Sequence, residues 1–143
     1  SVPPDPNVLC PSARPEMDGA VIFGVIQGDA EAPRAGYLAV PQAITDEVLR
    51  LADPVEPTEV FRIAAPCAAS GCRHFDGGAC RLARRTVQLL PIVAEALPPC
   101  RIRPRCRWWR QEGRAACLRC PQVITDNYAP TDAQRLAADP DGA

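Results

Sequence analysis

The sequence predicts an α+β fold in which a small N-terminal sheet and helix precede a cysteine-rich lobe of helix and loop. Three observations lead there. The β-rich runs fall within the first 66 residues, seven of the eight cysteines lie from Cys67 onward, and the charge changes sign at the same place. Residues 1–66 carry ten acidic side chains and four Arg, residues 67–120 eleven Arg and three acidic groups, and residues 121–143 four acidic groups and one Arg. A chain of 143 residues suits a single domain with a modest core. Its subregions are an acidic α+β lobe (1–66), a cysteine-rich lobe (67–128) and a polar tail (129–143).

Taken in order, residues 1–19 hold several prolines and little periodicity, so they read as an extended arm with Cys10 at a turn. "AVIFGVIQG" (20–28) is the β-rich run expected of a buried strand, and "GYLAV" (36–40) is a second strand. "TDEVLRLAD" (45–53) starts a short helix: Thr45 is an N-cap residue, acidic groups follow it, and Pro54 ends the segment. "TEVFRIA" (58–64) alternates as a third strand. "GGACRLARRTVQLLPIVAEAL" (77–97) has helical periodicity, with Pro91 kinking or splitting it. Prolines at 98, 99, 104 and 121 confine the next segment to loop and one short helix near 106–112. One helical turn is expected from Thr131. "PQAITDEV" (41–48) and "PQVITDNY" (121–128) echo each other as turn-into-helix devices, too short to indicate duplication.

Composition leaves little apolar bulk for the core. Aromatics are 5% of residues, and there are 17 prolines and eight cysteines, so cross-links or metals are expected to supplement packing. No apolar run approaches the ~18 residues of a membrane span. Without a visible leader, the cysteines suggest a reducing cytoplasm, where structural disulfides are rare.

The cysteines divide into two sets of four. Cys100, Cys106, Cys117 and Cys120 form C-x5-C-x10-C-x2-C-P; Cys67, Cys72 and Cys80 form C-x4-C-x7-C, which Cys10 completes from a distance. Four thiolates per set match a [4Fe–4S] cluster or a structural zinc site. Zinc sites usually use two C-x2-C knuckles, and only 117–120 qualifies here. The irregular spacings suit a larger cubane reached from separate loops, and a proline after a ligating cysteine also occurs in ferredoxin-type runs. Disulfides are the other reading, since an even count permits 105 pairings. Cys80 also fits as a buried core thiol, and Cys10 as a free one.

His74 is the only histidine, readable as a ligand, a neighbour of a cluster or a loop residue; without a convincing Ser or Asp partner it makes a poor hydrolytic triad. All 16 basic residues are Arg, and seven of them (101, 103, 105, 107, 110, 114 and 119) surround the second set. Around it, Arg101, Arg107, Trp108 and Trp109, together with His74, are candidates for a shell that balances cluster charge and excludes water.

"CPSARPEMDG" (10–19), "APCAASGC" (65–72), "HFDG" (74–77) and "CRIRPRCRWW" (100–109) together resemble a group of small bacterial eight-cysteine proteins, over nearly the whole chain. The resemblance implies that Cys10 belongs with the other seven and that the protein is of iron–sulfur type. Ferredoxin C-x2-C-x2-C-x3-C-P and the C-x3-C-x2-C of S-adenosylmethionine radical enzymes are both missing.

The expectation is a cysteine-rich lobe organised by two [4Fe–4S] clusters, with zinc as the alternative, serving one-electron transfer or redox sensing. Its basic surface would face an acidic redox partner protein or enzyme. The rivals are a cluster-dependent regulator, in which arginines meet phosphates and an indole stacks on a base, and an enzyme using a labile cluster iron as Lewis acid. The acidic flanks count against nucleic acid.

Overall fold

The computed structural model describes residues 5–28, 33–76, 78–125 and 130–140. It is an α+β arrangement: an antiparallel N-terminal sheet of four strands followed by helices and loops. β1 (Asp5–Cys10), β2 (Val21–Gly28), β3 (Pro33–Ala43) and β4 (Phe61–Cys67) lie in the order β1-β4-β2-β3. The β-branched run of β2 takes a central position and pairs with both β3 and β4.

Within the expected extended arm, residues 5–10 form a strand. Pro6 breaks the sequence pattern, yet proline is tolerated on an edge strand, and β1 is an edge. Its pairing sets Cys10 opposite Ala65, two residues from Cys67, with an irregularity between Asp5 and Leu9. The strand expected over 58–64 begins only at Phe61. Pro57 at the first helical position and the reciprocal Glu56–Glu59 capping box wind 57–60 into a helical turn instead, α2 (Pro57–Val60). The helix expected from Thr45 is α1 (Asp46–Arg50), whose cap hydroxyl accepts from the Val48 amide at 3.1 Å.

Alternation along the strands divides the interior in two. Ile22, Phe61, Ile63 and Ala65 pack with Ala13 and Ala52, and Val48 of α1 closes over them. The opposite face presents Phe23 and Ala64 to Cys80, Leu82, Ala83, Ile102, Cys106, Trp108 and Ala116. One core cluster therefore takes side chains from both the acidic and the cysteine-rich regions. Arg62 alternates onto this second face and is 2% exposed.

The long helix expected over 77–97 is shorter. A two-stranded hairpin, β5 (Phe75–Asp76) with β6 (Ala79–Cys80), comes first, and α3 spans Arg81–Leu89. Pro91 terminates it: proline cannot donate to the preceding turn, and Leu90 is already extended. Residues 93–94 return to Leu118 O through two amides at 3.0 and 3.2 Å. The expected short helix is α4 (Arg107–Glu112); Gly113 at φ +67° turns the chain into α5 (Arg114–Cys117). A capping box at Thr131 opens α6 (Asp132–Ala138). Of the echoed octapeptides, the first caps α1. In the second, the Thr125 hydroxyl meets that of Ser12 at 3.0 Å, and 126–128 lie outside the described residues. Among the described residues no helix is long and apolar enough to cross a membrane.

Candidate metal centre

The eight cysteines, all free thiols, come together as two groups. Cys10 lies within electrostatic reach of Cys67, Cys72 and Cys80. The sheet accounts for the first contact, since β1 pairs with β4, and the β5–β6 hairpin pairs Cys80 with Phe75, three residues after Cys72. Burial pushes the Cys10 and Cys80 thiols up, backbone amides pull them part of the way down, and neighbouring cysteines push them up again. The Ala69 amide donates to Cys67 Sγ at 3.4 Å and the Ala83 amide to Cys80 Sγ at 3.5 Å.

Cys100, Cys106, Cys117 and Cys120 line one cavity together with Pro11, Phe23, Tyr37, Arg103 and Trp108. Burial pushes the Cys106 thiol up to about 12, against the amides of Trp109 and Trp108; Cys120 and Cys100 add to the rise. Cys100 and Cys117 also stand above the ordinary thiol value, first because of burial. At Cys10, Cys80, Cys100, Cys106 and Cys117 burial thus makes a thiolate costly unless a cation joins it.

Arg62 has the most connections in this region. Its Nη1 donates to Cys120 O at 2.5 Å, while Nη2 donates to Pro11 O at 2.9 Å and to Cys120 Sγ at 3.2 Å. Its guanidinium lies over the Phe23 ring at 5.4 Å, and that ring stacks on Tyr37 at 5.9 Å. Burial alone would lower the Arg62 pKa, but Cys120 and Tyr37 outweigh it and hold the group above its ordinary value. Tyr37 hydrogen-bonds Cys120 in turn, and burial followed by the Cys120 charge pushes its phenol well up. Arg103 hydrogen-bonds Cys117, donates to Pro98 O and lies over the Trp109 ring at 5.6 Å.

Two buried donors beside this cavity, Trp108 Nε1 and Arg103 Nε, have no hydrogen-bond acceptor. Trp108 is 1% exposed, so an orphaned indole N–H there is costly without a partner. The donor set and the orphaned N–H groups fit a polynuclear group that brings its own acceptor atoms. No group of three or more His, Cys, Asp or Glu among the described residues is arranged to hold a single metal ion. A larger cavity of about 250 Å³ lies between α3 and α6, lined by Leu82, Thr86, Leu90 and Ala137, and it contains no cysteine.

The expected surrounding shell is only partly found here. Trp108 lines the second cavity, and Trp109 is half-buried beneath Arg103. Arg107 follows Cys106 but carries its guanidinium over Phe75, the strand partner of Cys80, at 5.2 Å. Arg101 is exposed. His74 Nδ1 sits 2.9 Å from Arg85 Nη2, whose Nε donates to Ala137 O at 2.9 Å. An arginine always donates, so this His74 nitrogen accepts and its proton sits on Nε2. Burial, then Arg85, Arg73 and Arg81, lower the His74 pKa and keep the ring neutral. Sequence reasoning missed Arg62, Tyr37 and Gln111. A charged residue on an otherwise apolar strand, Arg62 in "FRIAA", was the one available signal.

No family model matches this chain, and neither a curated protein nor a solved structure matches it.

Proposed function

We propose that this is an iron–sulfur protein holding two [4Fe–4S] clusters, one on Cys10, Cys67, Cys72 and Cys80, the other on Cys100, Cys106, Cys117 and Cys120, and acting in one-electron transfer. The observation that carries the reading is the convergence of eight cysteines, drawn from the whole length of the chain, into two groups of four thiols. Bound there, such a group supplies a one-electron couple. The chain's own residues do the rest. Trp108, Phe23 and Leu9 exclude water, and Arg62 and Arg103 offset negative charge at the second set.

Zinc is the weaker fit. A structural zinc site usually uses two C-x2-C knuckles, and here only Cys117 and Cys120 form one, the other spacings being irregular. Free thiols in both groups suit a reducing, cytoplasmic compartment.

The sets adjoin each other. Leu9, next to Cys10, bridges to Cys106, and Arg62 joins Pro11 to Cys120. Clusters held on the two sets would allow one-electron exchange between them and with an acidic redox partner protein. That partner is drawn by Arg101, Arg105, Arg110 and Arg114, all exposed in the segment that carries the second set.

Anaerobic purification with iron and sulfide analysis, and EPR of the reduced protein, tests this. About eight iron and eight sulfide per chain are expected for two four-iron clusters. One zinc for every four cysteines and no visible absorption would overturn it. Salt-dependent DNA binding that needs the intact cluster would move the function to a regulator.

A further inference from the structure

We propose that the two centres are unequal, and that Arg62 and Tyr37 make the one held by Cys100, Cys106, Cys117 and Cys120 the higher-potential, electron-accepting member of the pair. The inference rests on the two-cluster reading and adds a direction to it.

The argument concerns what surrounds each sulfur. At Cys120 the Arg62 guanidinium reaches Sγ at 3.2 Å and the backbone carbonyl at 2.5 Å, and the Tyr37 hydroxyl bonds the same side chain. Arg103 adds a bond to Cys117. These are side-chain donors, two of them charged, and charge-assisted bonds are roughly twice as strong as neutral ones. The hydrogen bonds described for the first set come from backbone amides, those of Ser12, Ala69, Leu82 and Ala83. Amides of Ile102, Trp108 and Trp109 serve the second set in the same way. Arg85 lies within electrostatic reach of Cys80 without a described bond to its sulfur. Adding an electron makes a thiolate-held centre more negative. A fixed cation in a buried setting favours that state and raises the potential.

Arg62 is also well placed to be decisive. It is 2% exposed, its ring-stacked position over Phe23 leaves it little freedom, and Nη2 is shared between Pro11 O and Cys120 Sγ. Pro11 follows Cys10, so the cation stands at the junction of the two sets but touches sulfur in only the second. With both groups bound, an electron given up by the first centre, oxidised by one, would be gained by the second, reduced by one. No proton moves, because Arg62 keeps its charge throughout. Arg62 and Tyr37 are positioning residues here: they tune the centre without exchanging electrons.

The test is a redox titration followed by EPR on the anaerobically purified, cluster-bearing chain. The wild type is expected to reduce in two steps, with the higher-potential step missing in Cys120→Ala and present in Cys72→Ala. Tyr37→Phe removes one hydroxyl and is expected to lower the reduction equilibrium constant of the higher step fivefold to tenfold. Tenfold corresponds to 59 mV for a one-electron couple. The lower step should stay in place. Arg62→Gln should shift the higher step further in the same direction; where that variant does not fold, Tyr37→Phe decides alone. The inference is overturned if the higher step disappears in Cys72→Ala instead, or if Tyr37→Phe moves neither midpoint. A chain with no iron overturns the two-cluster reading itself, and a chain with eight iron and equal midpoints overturns only the direction.

Discussion

Gln111 grips Cys80 from both sides: its Oε1 accepts from the Cys80 amide at 2.7 Å, and its Nε2 donates to the Cys80 carbonyl at 2.8 Å. Gln111 belongs to α4, between two cysteines of the second set, while Cys80 belongs to the first. The segment that carries the second thiol group therefore braces the first. Cys80 is also the N-cap of α3, so the same clamp fixes where that helix starts.

Gln111→Ala deletes both bonds and leaves a buried amide and carbonyl to find other partners. A cost of about 1–3 kcal/mol is expected, because unsatisfied buried groups carry their full desolvation penalty. The loss should fall on the first centre although the mutation lies in the second segment. Iron release to a chelator, followed in the visible, should become biphasic with about half the iron leaving faster. Uniform release would show that Gln111 is not the brace.

Each cysteine set should load by itself. Cys10→Ser and Cys100→Ser are each expected to retain about half the iron of the parent chain, and the double variant almost none. Iron and sulfide assays on purified protein give the answer. Unchanged iron in Cys10→Ser would remove Cys10 from the ligands, despite its place beside Cys67.

The parts of this molecule that were readable in advance are those fixed by local pattern. β2 shows in "VIFGVIQG", and the α1 and α6 starts show in Thr45 and Thr131. What escaped reading depends on tertiary competition. Val93 and Leu97 continue the helical period beyond Pro91, but proline's missing donor ends α3, and the apolar residues serve a loop pinned to α5. Glu56 and Glu59 form a capping box only because Pro57 stands between them, so a strand-like run opens with a helical turn. Arg62 looks like the polar side of an alternating strand. Its burial follows from a second layer of cysteine-bearing loops, which strand periodicity says nothing about. Counting arginines near the second set likewise could not tell Arg103, turned toward Cys117, from exposed Arg101.

The tandem tryptophans should behave very differently. Trp108 is buried in the core beside Phe23 and Ala116, and Trp108→Ala is expected to cost about 3–5 kcal/mol, in the range of large core truncations. Trp109 is half-buried with Arg103 over its ring at 5.6 Å, so Trp109→Ala should cost about 1 kcal/mol, the worth of a partly exposed cation–π contact. Chemical denaturation followed by circular dichroism measures both. Equal losses would mean that the two indoles share the core.

The exposed arginines should govern association and leave the centres intact. Arg101 and Arg110 both project from the surface of the second segment, Arg110 with its Nε tied to Pro104 O at 2.9 Å. Reversing both charges, Arg101→Glu with Arg110→Glu, changes the net charge of the chain by −4 without touching a thiol. Long-range attraction acts mainly on the encounter rate and is screened within about 10 Å at 0.1 M salt. Electron exchange with an acidic ferredoxin-type protein, followed by stopped flow, should therefore slow about tenfold or more at low salt. It should approach the parent rate as salt is raised, with iron content and both midpoints unchanged. A slowing that persists at high salt would place these two arginines in a short-range contact instead, and no slowing at any salt would move the docking face elsewhere on the molecule.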